Sequence, residues 1–178
     1  MKKLISLMLV AMMALCLIAT AETAIPSPTL DMDFTWEFET PDVEGADSFF
    51  FAVSEDEDDI AACKDELAAL AEAETAADFF GDAAEEALAI TGGEELTPCE
   101  FAPVICGNYK EELGSVALNV TAPTQYEEGQ AVAALFEIGG EWSVFSATGN
   151  ADGTVALTLD SDTLLAIQES GAMMVLAI

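Results

Sequence analysis

The chain contains no histidine and no arginine, and only four lysines among its 178 residues. Without histidine, nucleophilic catalysis of the Ser-His-acid or Cys-His kind is excluded, as are zinc sites of the Cys-His type. Without arginine or a glycine-rich phosphate loop, phosphoryl transfer lacks its usual clamps. Past residue 21 there is no continuous apolar run of the length a membrane helix needs, and the final stretch GAMMVLAI reads instead as a last buried strand. A sortase-type LPxTG tail is missing as well.

What is present begins with MKKLISLMLVAMMALCLIATAETA: two lysines, an apolar run from Leu4 to Ile18, and the small-residue site Ala19-Thr20-Ala21. This pattern predicts a secretory signal peptide over 1–21 and places the protein outside the cell. Cys16 is preceded by Leu15, where a lipobox requires a small side chain, so a released protein is favoured over a lipoprotein. All 34 acidic residues follow Ala21, against only Lys64 and Lys110, so the mature net charge is 2 − 34 = −32. Such a field repels phosphate backbones and anionic lipid, which argues against nucleic acid and against membrane insertion once the leader is removed. Cations, basic proteins and neutral glycans remain as partners. The commoner meaning of such acidity is solubility or salt adaptation.

Three cysteines follow the leader, so one intrachain disulfide at most can form. Cys99 and Cys106, in CEFAPVIC, are the candidate pair; Cys63 is an alternative partner for either, and three buried free thiols are the competing reading.

The segment 22–98 opens with a proline-containing lead-in, TAIPSPTLDMD, followed by FTWEF (34–38) and SFFFAV (48–53) as two strands. Ser54 and Glu57 match a capping box, and Ile60, Cys63, Leu67 and Leu70 then mark one face of a helix over about 55–73. The acidic run EDEDD at its start complements the helix dipole more readily than it forms a metal site. Thr75 and Asp82 are expected to cap two shorter helices, stopped by Thr91-Gly92-Gly93. This alanine-rich unit has little large apolar surface of its own and must pack on something else.

From about Tyr109 onward the period changes to two, and EFAPVICGNY (100–109) is the candidate first strand of a module over 99–178. VALNVT, AVAALFEI, EWSVFSA, TVALTL and AMMVLAI read as strands, with Gly139-Gly140 as a two-residue hairpin turn and Ser161 capping a short helical crossover. The expected class is α+β, with an N-terminal helical unit beside a C-terminal Ig-like antiparallel β-sandwich. The stretch NADGTV (150–155) offers Asn150 and Asp152 as candidate calcium ligands. An EF-hand loop would continue to a bidentate glutamate, whereas this chain continues as strand, so a hairpin turn is the stronger reading. Trp36 and Trp142 are the candidate sugar-stacking residues, although strand tryptophans more often pack in a core or at its rim. Asn119-Val120-Thr121 matches a glycosylation sequon but falls mid-strand behind a bacterial-type leader, and is read as accidental.

From Asn108 to the end, the order of Tyr126-x-x-Gly129-Gln130, a tryptophan strand, a D-G-T-V hairpin, a short helix and a final apolar strand resembles the C-terminal module of small secreted proteins of Gram-positive anaerobes. The resemblance implies an Ig-like module and carries no activity or catalytic residues. The function expected is a secreted, acidic, non-enzymatic binding or assembly module, recognising an extracellular protein or glycan. Its alternatives are a Ca²⁺-dependent binding module and a carboxylate-based glycan hydrolase.

Overall fold

Near-continuous apolar strands should be buried on both faces, and alternating strands on one. The computed structural model, which describes residues 28–38 and 46–178, realises both kinds within a single nine-stranded sheet. The leader expected over 1–21 lies outside the described residues.

The strands are β1 (Thr29–Leu30), β2 (Thr35–Phe38), β3 (Phe50–Val53), β4 (Pro98–Gly107), β5 (Val116–Thr121), β6 (Ala131–Ile138), β7 (Glu141–Gly149), β8 (Val155–Leu159) and β9 (Ala172–Ala177). They are ordered β1-β4-β9-β6-β7-β8-β5-β2, with β3 also pairing β4. The long strand β4 carries two partners on one edge: β1 runs parallel beside Glu100 and Phe101, and β3 antiparallel beside Val104 to Gly107. All other pairings are antiparallel.

The sheet curls until its two ends approach each other. Among the described strands β2 hydrogen-bonds only to β5, and β3 only to β4. The seam between them is closed by rings: Trp36 and Phe51 lie 4.6 Å apart by centroid, and Phe38 and Phe49 lie 4.9 Å apart. The inner face holds the main core, with Val104, Leu118, Val120, Phe136, Leu157, Met174 and Leu176 all buried. Helix α4 (Ser161–Ser170) contributes Leu164 and Ile167 to this core.

The outer face is covered over one half only. Helices α1 (Glu57–Glu72), α2 (Ala76–Phe80) and α3 (Asp82–Thr91) bury Cys63, Leu70, Phe80, Ala84 and Ala87 against Phe101, Ala133, Leu135, Val175 and Ala177 of β4, β6 and β9. The expectation that the alanine-rich unit packs on another element therefore has its answer in this half of the sheet.

The mixed α+β class is realised. The strands expected as a two-layer Ig-like sandwich over 99–178 instead lie in one curled sheet, and it recruits β1, β2 and β3 from the 22–98 segment. Two-sided burial explains the difference: β6 is apolar at consecutive positions because helices cover its second face.

Local differences have equally simple causes. The helix predicted from residue 55 begins at Glu57, because Asp56, not Ser54, accepts the cap bond from Asp58 N at 2.8 Å. Ser54 is buried and donates to Asp59 at 2.6 Å. Thr75 caps α2 as expected, while Asp82 is the first residue of α3, which Gly81 precedes without a side-chain cap. Asp160 displaces Ser161 as the cap of α4, accepting from Thr163 N at 2.8 Å. Ser161 is free to meet the Tyr109 hydroxyl at 2.8 Å. Within the lead-in, Thr29 and Leu30 form β1, a pairing that two residues of local sequence do not announce.

Candidate functional site

Four places in the fold gather polar or reactive side chains. The first is the turn between β7 and β8. Asn150 N donates to Thr154 O at 2.8 Å, Gly153 N donates to Asn150 O at 3.0 Å, and Gly153 takes φ +85°, a geometry glycine adopts without strain. Asp152 Oδ1 accepts from Thr154 N at 3.1 Å and from the Thr154 hydroxyl at 2.7 Å, and these bonds hold its carboxyl below the ordinary 3.8. Asn150 Nδ2 donates to Thr154 Oγ1 at 2.9 Å and to Asn119 Oδ1 at 3.2 Å. Both candidate calcium ligands thus serve their own hairpin. Among the described residues no group of three or more acidic, cysteine or histidine side chains is placed to hold a metal.

The second place is interior. Glu100 is 1% exposed, on the inner face of β4 next to Ala102 and Val104. Its Oε2 accepts from the Tyr126 hydroxyl at 2.9 Å, and its Oε1 from the backbone N of Thr124. A carboxylate buried in an apolar core needs such donors, and both come from the segment linking β5 to β6. That segment is tied down again where Gly129 N donates to Gly149 O and Gly149 N to Gln130 O, each at 2.9 Å. A Cβ on Gly149 would stand 2.2 Å from Glu127 O, so only glycine permits this approach. Burial, then the charge of Glu100, raises the Tyr126 hydroxyl well above its ordinary 10.0. Sequence reasoning missed Glu100, although its position was visible: it is the one acid in the otherwise apolar run PCEFAPVIC.

The third place holds the thiols. Cys63, Cys99 and Cys106 are all free and buried. Cys99 and Cys106 stand seven residues apart in β4, and a strand rises about 3.3 Å per residue, so their separation far exceeds the roughly 7 Å limit for a bridge. The candidate disulfide is therefore corrected to two separate thiols. Cys99 donates to Thr97 O at 3.5 Å and Cys106 to Leu164 O at 3.2 Å. Burial pushes Cys63 up to about 12, helped by the Glu66 charge, and pushes Cys106 up to about 11. Burial also carries Cys99 to about 11, reinforced by the Glu100 charge. At neutral pH all three are thiols, without the thiolate character a nucleophile needs. Cys63 lines a cavity of about 220 Å³ together with Asp59, Glu66, Glu137 and Met173. Two of those carboxylates already serve the fold, Asp59 accepting from Ser54 and Glu137 from Gly140 N.

The tryptophans are apart from one another. Trp142 is half-buried beneath the helices, with its ring 4.9 Å from Phe80 and 6.0 Å from Phe79. Trp36 is half-buried in the seam beside Phe34 and Phe51, and its Nε1 is buried without a hydrogen-bond partner. Both rings are packing residues here, and the structure does not bring them together as a sugar platform.

The fourth place is the uncovered half of the outer face. There β7, β8, β5 and β2 place Thr148, Ala156, Asn119 and Glu37 in one in-register row. Ala117 and Thr158 form a second cross-strand pair, and Thr121 and Thr35 a third. Neighbouring side chains in such rows stand about 4.8 Å apart on a pleated surface. Hydroxyls, amides and methyls dominate; among these eight residues Glu37 is the single charge. Beside helix α1, where seven of 16 residues are charged, this face is poor in charge.

No protein-family model, curated protein or solved structure matches the chain at a significant level. Among the described residues, no helix is long and apolar enough to cross a membrane.

Proposed function

We propose that the protein is a secreted, non-enzymatic binding or assembly module of the bacterial exterior, and that it engages a neutral glycan through the uncovered face of β7, β8, β5 and β2. The observation that carries this reading is the low charge of that face. A surface serving only solubility would carry acids there as it does on the helices, where Glu57, Asp58, Asp65, Glu85 and Glu86 are all exposed. Rows of Thr and Asn side chains instead offer donors and acceptors to sugar hydroxyls without repelling them. The curled sheet supports these rows as an Ig-like sandwich would, from a packed inner face. A calcium-dependent version is less favoured, because Asp152 would first have to leave its bonds to Thr154.

The test is a glycan array probed with the purified protein and with Asn119→Asp and Thr158→Asp variants, which charge the face from exposed positions. Retention of a neutral glycan that both variants lose supports the reading. Binding that survives both substitutions moves the site elsewhere, and reproducible release of hydrolysis products would sink the non-enzymatic assignment.

A further inference from the structure

On the helical side of the molecule, a cleft of about 390 Å³ lies between the turn joining α1 to α2 and the segment joining α3 to β4. That volume is at the lower end of the range for ligand pockets, about 300–1,000 Å³. Its floor is apolar, made by Ala76, Ala77, Leu88 and the buried Leu96. Its rim is anionic, made by the exposed Glu74, Glu94 and Glu95.

Backbone charge points the same way. Helix α1 ends at Glu72 and α3 at Thr91, each a few residues from the rim, and neither has a basic residue in its last turn. A helix C-terminus carries roughly half a negative charge, so two of them beside three glutamates favour a cation. The N-terminal end of α2 also reaches the cleft, but it is already answered locally: Asp78 N donates to Thr75 Oγ1 at 3.1 Å, and the Thr75 hydroxyl donates to the Asp78 carboxylate at 2.7 Å.

An apolar floor beneath an anionic rim matches one side chain in particular. Lysine buries its four-carbon stem along apolar surface while its ammonium stays at a polar edge. Mature chain charge of −32 would raise the local concentration of any basic polypeptide, and the cleft supplies the short-range fit. We propose that this cleft docks a lysine side chain of a basic extracellular polypeptide. The proposal is independent of the glycan reading, since the cleft lies on the helices and the charge-poor rows lie on the uncovered strands.

General attraction to a polyanion must be separated from docking, so the probes carry equal charge. One is an end-blocked peptide with two lysines between glycines. The other has each lysine replaced by 2,4-diaminobutyrate, whose stem is two methylenes shorter. Titration followed by calorimetry should show the lysine peptide binding about tenfold more tightly, since each buried methylene is worth up to about fourfold. Ala77→Phe fills the floor from an exposed position without altering charge, and should bring the lysine peptide down to the affinity of the shorter one. Glu94→Gln with Glu95→Gln should weaken binding more than Glu85→Gln with Glu86→Gln, which removes the same charge from exposed sites on α3 outside the cleft. Equal affinity of the two peptides for the unaltered protein would overturn the proposal even if Ala77→Phe failed to fold. So would unchanged binding by a folded Ala77→Phe variant, or equal loss from the two glutamate pairs.

Discussion

The two halves of the outer sheet face are built from the same kind of strand and end in opposite environments. Under the helices, Phe101, Ala133, Leu135, Val175 and Ala177 are fully buried. A few strands away, Ala117, Asn119, Thr121 and Thr158 are exposed. Glu100 apart, the inner face is apolar beneath both halves, so the difference lies in the alternate positions. Where these are large and apolar, the sheet requires a second layer and the alanine-rich helices supply it; where they are Thr, Asn and small Ala, water is an adequate neighbour. The comparison teaches that β4, β6 and β9 specify the helical layer as much as the helices do.

The strongest way to break this comparison is to truncate one residue from each half. Phe101→Ala should cost about 3–5 kcal/mol, by lost burial and the cavity left between sheet and helices. Thr158→Ala should change stability by no more than about 0.5 kcal/mol. Urea unfolding midpoints, read with their slopes, measure both. Comparable losses would mean that the uncovered half is covered in solution, for instance by another copy of the chain.

A second contrast concerns polarity inside the core rather than outside it. Glu100→Ala leaves Thr124 N and the Tyr126 hydroxyl without their acceptor, and should cost about 1–3 kcal/mol. Glu100→Gln keeps an acceptor for Thr124 N, and its amide can donate to the Tyr126 oxygen, so its loss should be clearly smaller. If the two variants unfold at the same urea concentration, the segment between β5 and β6 is not latched through Glu100.

Much of this was legible in the chain. The Gly139-Gly140 hairpin is present, with φ of +62° and +90° and Ile138 paired to Glu141. The Thr75 cap and the hairpin at NADGTV are likewise local events, decided by a few neighbouring residues. What was not legible depends on long-range pairing. The register joining Trp36 to Val120 and Thr29 to Glu100 links residues 84 and 71 positions apart, and no local pattern fixes it. The consecutive apolar residues of AVAALFEI carry a signal of burial on both faces, which a helix-covered sheet satisfies and a two-layer sandwich does not, but the alternating strands around it outweighed that signal. The cleft is the same kind of case, since Glu74 and Glu94 meet only because α2 and α3 fold back between them.

A smaller effect is expected at high pH, and it sharpens the view of the thiols as packing groups. All three have folded pKa values raised from 9.0, to about 12 for Cys63 and about 11 for Cys99 and Cys106, and Tyr126 is raised as well. Below 9.0 the thiols are protonated in both folded and unfolded chains, so their burial does not alter the pH dependence. Above it the unfolded chain releases protons that the folded chain retains, and stability falls as pH rises toward 11 and 12. Melting temperature should be level through neutrality and decline above pH 9, with a thiol reagent reacting slowly at pH 8 until urea is added. Rapid labelling of the native protein would show that a thiol is accessible and reopen the question of its chemistry.

The smallest effect belongs to Asp152, the most suggestive residue in the sequence and a fully exposed one in the fold. Its carboxyl lies below 3.8 because Thr154 donates to it, so its contribution is present above that pH and is lost as pH falls through the depressed value. Asp152→Ala should therefore lower the neutral plateau slightly, and that difference should vanish on the acid limb, where the unaltered protein has lost the same contribution by protonation. Melting in EDTA, in millimolar Ca²⁺ and in millimolar Mg²⁺ completes the test, since general screening of the charge acts for both ions whereas a selective site raises stability by mass action for one. Equal shifts with the two ions, unchanged by Asp152→Ala, keep the residue as the closing bond of a hairpin. A Ca²⁺-selective shift abolished by that substitution would mean the turn opens to bind the ion, exchanging the Thr154 bonds for metal ligands.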